Sequence, residues 1–443
     1  MDEVESKASE ARIAYYVLAN LSTESKNKAL DKIAEAIWAK RDSLLASNRR
    51  DVEESRRLLA RGDISEAILK RLQLDEGKVG GMVEMVKSVA RLEDPIGKTT
   101  YAVELDDDLE LYRVTTPIGV ISFIFESRPD ALSQIASLCL KSGNSVLLKG
   151  GSETKHSNKT LYEIIRDADT SLPAGWIQLV ETREDVRSLL SHDDLIDLVI
   201  PRGSNSFVKY IQSNTSIPVL GHSEGVCHIY VDDLADLDMA VRVCFDSKVQ
   251  YPSVCNAVDL ILIHKDVAGS FLPALVERME TRNVEMRGDS LVCDVMGDRV
   301  KALADTDLGA EYLDYIVGLK VVDSLDEAVS YINRYGSHHT DAIITENPEA
   351  AAMFMDYVDS ASVFWNASTR FADGYRYGLG SEVGISTGKI HARGPTGLEG
   401  LTSYKYYLKG SGNTVDEYIG DNKREFKHQP LGKAWMNKKH RRI

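Results

Sequence analysis

From Gly119 onward, short apolar runs alternate with amphipathic segments, and this alternation limits the fold more than any other feature of the chain. Residues 120–125, 146–149, 177–180, 195–200 and 219–220 read as strands, and 131–141, 157–168, 184–190 and 205–213 as the helices between them. Continuous apolar runs suit strands buried on both faces, which is the setting of a parallel sheet covered by crossover helices. A second series follows: a helix over 239–248, a strand over 258–264, a helix over 270–279, and strands over 319–322 and 342–344. At ~150 residues per domain, 443 residues suggest two or three domains, and the two series suit two such units. The expectation is an α/β fold with two Rossmann-like parallel-sheet domains and a soft boundary near 232–245.

The segment before Gly119 reads differently. Ser22 or Thr23 caps a predicted helix with an apolar stripe of Leu30, Ile33, Ala34, Ile37 and Trp38, spaced i, i+3, i+4, i+7, i+8. Residues 101–114 alternate around the acidic turn Asp106-Asp107-Asp108, which predicts a hairpin. The glycine-rich block 366–400 reads as loops, where function concentrates.

Composition excludes several classes. A net charge of −15 argues against general nucleic-acid binding. The tail 423–443 carries eight Lys/Arg against one acid, Glu425, and reads as a solvated terminus, with an acidic neighbour as the functional alternative. Apolar runs as short as 119–125 are too brief to span a membrane, and the first residues lack the pattern of a secretory signal. Five cysteines with no CxxC spacing argue against a disulfide framework and for reducing, cytoplasmic surroundings. His222, Glu224, Cys227 and His228, and the pair His338-His339, are potential ligands, but none has zinc-motif spacing, so no metal site is expected.

Cys255, in the segment YPSVCNA, lies between a helix ended by Pro252 and a buried strand. Such a loop offers free N–H groups to a reactive thiol or an oxyanion; a buried inert thiol is the alternative. Cys139 and Cys244 fall in helical apolar stripes and read as core. No GxGxxG follows the first strand. Lys149-Gly150-Gly151-Ser152 leaves a strand and enters a helix, which suits a lysine facing a ribose or phosphate as well as a plain turn. Arg128 follows the strand 120–125, where α/β sites lie, and fits either an anion or an ion pair with Glu126 or Asp130. Arg370 and Arg393 are further anion candidates or surface charges.

Several long segments together resemble one family. They are IPRGSN (200–205), IPVLGHSEGVCHIYVD (217–232), YPSVCNA (251–257), INRYGSHHTDAIITEN (332–347) and VFWNASTRFADGYRYGLGSEVGISTGKIHARGPTGLEGL (363–401). They resemble the γ-glutamyl phosphate reductases of the aldehyde dehydrogenase superfamily, and the likeness runs from about residue 10 to 410. The resemblance implies an NADPH-dependent reduction of γ-glutamyl phosphate to glutamate 5-semialdehyde, in proline biosynthesis, with Cys255 as nucleophile. It puts Arg128 at the oxyanion-hole position, Glu311 at the nicotinamide ribose and Lys149 at the adenosine ribose. It adds Gly203, Ser204 and Ser152 to the NADPH/NADP site, Ser152 leaving room for a 2′-phosphate. It suggests Ser368, Thr369 and Arg370 for the substrate's amino-acid end, with His222 and Arg393 beside them. At the position of the hydrolytic enzymes' general-base glutamate stands Gly221, which argues for a reductase, although Glu224 is near.

By the same resemblance, 1–238 with 386–402 form the cofactor-binding domain, carrying the hairpin 101–114. Residues 239–385 form the catalytic domain. Residues 403–443 supply an oligomerisation strand, rich in tyrosine at Tyr404, Tyr406 and Tyr407, and the basic tail. Implied partners are a second copy or a tetramer's worth of this chain and a glutamate 5-kinase. The rival readings are an aldehyde dehydrogenase or acyl-CoA reductase using the same thiol, and a non-catalytic scaffold.

Overall fold

The computed structural model describes residues 2–126, 128–182, 184–222 and 224–436. Five helices open the chain: Glu3–Leu18, Thr23–Ala39, Arg41–Arg61, Glu66–Leu72 and Glu76–Arg91. Ser22 caps the second, its side chain accepting from the Ser25 N–H, and Leu30, Ile33, Ala34 and Ile37 are fully buried. Trp38 departs from the expected stripe. It is 42% exposed, and the Arg41 guanidinium lies 4.8 Å from its ring centroid. One residue past Ile37 the helix surface has already turned toward solvent.

These helices pack on a parallel sheet in the order Ile177–Val180, Ser145–Lys149, Val120–Phe125, Leu198–Arg202. The last strand begins three residues later than the apolar run suggests. Leu195 and Ile196 instead turn back to the His192 carbonyl, and pairing extends to Phe125 opposite Arg202. The shift carries Arg202 to the carboxyl end of the sheet. Residues 219–220 form no strand of their own; Val219 makes a single parallel bridge to Val199.

The second sheet has seven parallel strands in the order Lys301–Ala302, Glu285–Gly288, Ile316–Val322, Val258–His264, Cys227–Val231, Thr340–Ile344, Ser362–Trp365. Leu237–Val249 and Lys265–Glu280 cover one face and Leu325–Tyr335 and Pro348–Tyr357 the other, each closing its own apolar cluster. This is the α/β architecture expected.

The hairpin pairs Thr99–Asp106 with Leu109–Pro117, and Asp108 takes the left-handed turn position. Thr402–Lys409 pairs along one side and Gln429–Pro430 along the other, all antiparallel. The tail is therefore not a free solvated terminus through residue 436. Arg424 meets Asp106 at 2.6 Å, Lys433 meets Glu110 at 2.5 Å, and Lys427 pairs with Asp107. The Trp435 ring packs 5.2 Å from Tyr112 and 5.0 Å from Tyr407. The acidic neighbour is the chain's own hairpin turn. The rest of the basic run, 437–443, lies outside the described residues. Among the described residues no helix is long and apolar enough to cross a membrane.

Candidate active site

Cys255 lies on the loop between helix Leu237–Val249 and strand Val258–His264, closed by a turn in which the Ala257 N–H donates to the Val254 carbonyl at 3.0 Å. The loop is held from two sides. Asn256 Nδ2 donates to the Ala372 carbonyl at 2.8 Å, and the Cys227 thiol donates to the Cys255 carbonyl at 3.2 Å. Gly225 presses against it: a Cβ there would sit 2.4 Å from the Cys255 Cβ and carbonyl oxygen. Only the missing side chain permits this approach.

The residues around the thiol come from loops leading into three adjacent parallel strands. His222 precedes Cys227–Val231, Cys255 precedes Val258–His264, and His339 precedes Thr340–Ile344. One polar side-chain atom of each lies within 4.8 Å of the others. His222 Nδ1 lies 2.7 Å from the Ile385 carbonyl. A carbonyl only accepts, so Nδ1 carries the proton and Nε2 the lone pair. Burial, and then Arg202, hold His222 below the usual imidazole range; burial holds His339 far below it. Both rings are neutral at pH 7.

Charge at the site is divided. Burial pushes the Cys255 thiol up to about 12, Glu311 and Glu382 add to the rise, and Arg202 opposes it. Burial raises Glu382 to about 7, despite an N–H bond from Gly374 at 2.8 Å and the guanidinium charges of Arg202 and Arg128. Glu311 accepts from the Gly225 N–H and, at 3.4 Å, from Asn205 Nδ2. Arg202 is brought down to about 10, first by burial and then by Arg128, and its buried Nη1 has no hydrogen-bond partner among the described residues. A desolvated guanidinium with a spare donor is a ready anion anchor.

A cleft of about 650 Å³ opens at the carboxyl ends of the four-stranded sheet, lined by Lys149, Gly150, Gly151, Ser152, Lys155, Arg187 and others. It fits a nucleotide. Asn158 Oδ1 is buried there without a partner among the described residues, and a Cβ on Gly150 would lie 2.0 Å from Asn158 Nδ2, so the backbone leaves the strand close to the wall. Lys149 Nζ bonds the Gly150 carbonyl at 2.5 Å.

The sequence candidates divide accordingly. His222 and Glu311 join Cys255, while Lys149 and Ser152 line the cleft. Gly203 and Ser204 wrap Glu126 at the cleft's floor, the Ser204 N–H donating to it at 3.3 Å. Arg370 is buried, bonds Gln250 through Nε at 2.9 Å and lies in the field of Cys255. The Ser368 hydroxyl is occupied by Ser247 at 3.0 Å and by the Arg370 N–H, whereas Thr369 Oγ1 is buried with no partner among the described residues. Arg128 is half exposed and pairs with Asp130 at 3.4 Å. Arg393 meets Asp359 at 3.1 Å. Glu224 is held by Lys209 at 2.5 Å.

Known proteins place this arrangement. The aldehyde dehydrogenase family profile matches residues 2–295. A γ-glutamyl phosphate reductase of Natronomonas pharaonis is 55% identical over 434 residues, covering 98% of this chain and 99% of its own. The chain belongs to the γ-glutamyl phosphate reductase family. It is thus an oxidoreductase of the aldehyde dehydrogenase class. A second member, from Ruminiclostridium cellulolyticum, is 53% identical, covering 96% of this chain and 97% of its own. The crystal structure of the Thermotoga maritima γ-glutamyl phosphate reductase superposes with a TM-score of 0.90 at 40% identity, covering 93% of this chain and all of that one.

Arg202, Glu382 and Gly225 stand around the thiol but were not singled out by sequence reasoning, and His339 was read there only as a possible metal ligand. Arg202 had a usable signal, since it ends a parallel strand; the strand's late start hid it. Glu382 had none, because only folding brings it to the thiol.

Proposed function

We propose that this chain reduces γ-glutamyl phosphate to glutamate 5-semialdehyde and inorganic phosphate, using NADPH, through a thioester on Cys255. The observation that carries this is the Cys255 thiol beside a neutral imidazole, His222, and in the field of Arg202, whose buried Nη1 has no hydrogen-bond partner among the described residues. His222 Nε2 takes the thiol proton, and the thiolate attacks the acyl carbonyl. The Cys255 backbone N–H meets the oxyanion; a donor of this kind is worth about 3–4 kcal/mol. Arg128, expected in that role, holds the phosphate side with Arg202, and inorganic phosphate leaves. When bound, the nicotinamide supplies the hydride that reduces the thioester. Loss of the thiolate from the resulting thiohemiacetal releases the aldehyde.

Lys149 and Ser152 hold the cofactor's adenosine end and Glu311 its nicotinamide ribose. Gly203 and Ser204 place the start of helix Asn205–Ser213 beside the cleft floor. Lys155 and Arg187, cations in the same cleft, favour the 2′-phosphate of NADPH. Thr369, with its spare hydroxyl, and Arg370 receive the amino-acid end. Glu224, the remaining candidate to activate water, is ion-paired with Lys209.

The working form is a homodimer or homotetramer. Thr402–Lys409 is a sheet edge exposing Tyr404, Tyr406 and Leu408, a surface suited to a second copy. Docking to a glutamate 5-kinase would shield the labile acyl phosphate, and co-elution tests it. The deciding experiment runs the reaction backwards: glutamate 5-semialdehyde and NADP, with and without inorganic phosphate, followed at the reduced-nicotinamide absorbance. Phosphate-dependent reduction is expected; reduction without phosphate identifies a hydrolytic dehydrogenase instead.

A further inference from the structure

The two histidines beside Cys255 have a feature that acyl transfer does not require. His222 Nδ1 is held by the Ile385 carbonyl at 2.7 Å, and His339 Nδ1 by Thr340 Oγ1 at 2.9 Å. Each ring is thereby fixed by one nitrogen with the other left over. That is how ligating histidines are oriented in metal sites. His339 Nε2 is fully buried with no hydrogen-bond partner among the described residues, a costly condition for a polar atom. One ligand atom each from His222, His339 and Cys255 already lies within 4.8 Å of the other two. Around a tetrahedral zinc, with Zn–N of about 2.0–2.1 Å and Zn–S of about 2.3 Å, such atoms stand roughly 3.3–3.6 Å apart. Closure therefore needs on the order of 1 Å of side-chain movement.

We propose that Cys255, His222 and His339 form a binding site for a zinc-class cation, whose occupation reversibly switches the nucleophile off. The donor set, two imidazoles and a thiolate, selects Zn²⁺ and related soft or borderline cations over Mg²⁺ and Ca²⁺. Binding forms one Zn–S and two Zn–N bonds, releases the thiol proton to solvent and changes no oxidation state. A water completes the tetrahedron. The switching rests on the reading of Cys255 as nucleophile; the site itself does not.

The test uses the full chain without added cofactor. Zn²⁺ is titrated against a chromophoric chelator, Co²⁺ binding is followed by absorbance, and iodoacetamide labelling of Cys255 is read by mass spectrometry. The expected results are a thiolate-to-cobalt charge-transfer band, absent in Cys255→Ser, and labelling slowed at least about tenfold by Zn²⁺, restored by EDTA and unaffected by Mg²⁺. His339→Gln is expected to weaken Zn²⁺ binding by more than about 100-fold, beyond the loss of a supporting hydrogen bond. If that variant fails to fold, His222→Asn serves in its place.

The cluster Asp233, His264 and Asp266, whose two carboxylates are exposed, is the competing site, and His264→Ala is expected to leave labelling protection intact. Unprotected labelling, a cobalt spectrum without the sulfur band, or parental affinity in His339→Gln overturns the proposal. Zinc protection without any phosphate-dependent turnover would overturn the functional reading while leaving the metal site standing.

Discussion

Gly225→Ala isolates the positioning of the nucleophile from its chemistry. The added Cβ would lie 2.4 Å from the Cys255 Cβ and carbonyl oxygen and 2.7 Å from its Cα, whereas ordinary contact begins near 3.4 Å. Gly225 does not occupy the left-handed region, so the substitution adds no backbone strain and acts by bulk alone. None of the three clashing atoms ends a flexible side chain, and the loop is pinned by Asn256 and Cys227. Relief therefore moves the Cys255 backbone by about 1 Å, and a shift of that size at a reacting group costs on the order of 100-fold in rate. Overpacking itself costs about 1–3 kcal/mol, which a protein of this size registers as a few degrees of Tm.

The assay is kcat and KM in the phosphate-dependent reverse reaction, with Tm measured alongside. The expected signature is kcat down by about 100-fold, equivalent to about 2.7 kcal/mol. A variant with kcat within about threefold of the parent, folded and at parental Tm, would show that the loop absorbs the methyl group and that the tight contact does not set the thiol's position.

Five further outcomes are expected. Cys255→Ala abolishes turnover, by at least about 10³-fold, with the fold retained by circular dichroism; retained turnover removes the nucleophile assignment. In the protein without cofactor, iodoacetamide labelling of Cys255 rises steadily from pH 7 to pH 10 with no plateau, because burial and the charges of Glu311 and Glu382 raise the thiol's pKa. Glu311→Gln removes one opposing charge, lowers that pKa and speeds labelling at any pH in this window; slower labelling reverses the sign of the argument. Lys155→Ala with Arg187→Ala lowers the ratio of kcat/KM for NADPH over NADH at least about tenfold, since each removes a cation from a 2′-phosphate; an unchanged ratio moves the phosphate elsewhere. Trp435→Ala frees the tail from Tyr112 and Tyr407, lowers Tm and exposes residues after 411 to limited proteolysis, increasingly at high salt as the Arg424, Lys427 and Lys433 pairs are screened.

Local signals located much of this molecule. The helix capped at Ser22, the hairpin around Asp106–Asp108 and the strands beginning at Val120, Ile177 and Val258 follow from periodicity and turn chemistry, which act over a few residues. Where neighbours overrode local pattern, the reading slipped. Trp38 turned outward under Arg41, and the strand ending at Arg202 took its register from Phe125 rather than from its own apolar run. The tail's charges could be counted in sequence, but their partners lie some 300 residues earlier on the hairpin.

The candidate site divides in the same way. Cys255, Lys149 and Glu311 stand in segments whose residue order marks them as candidates from the chain alone. His222 was visible as a histidine near a strand, but not as the neighbour of a thiol 33 positions later. Arg202, Glu382, His339 and the close approach of Gly225 were decided by tertiary structure. The sequence determined which short segments become strands and helices, because apolar spacing and capping are local properties. Which loops meet at the amino edge of three adjacent strands depends on the order of strands in the sheet. That order is fixed by long-range packing, and no spacing along the chain records it.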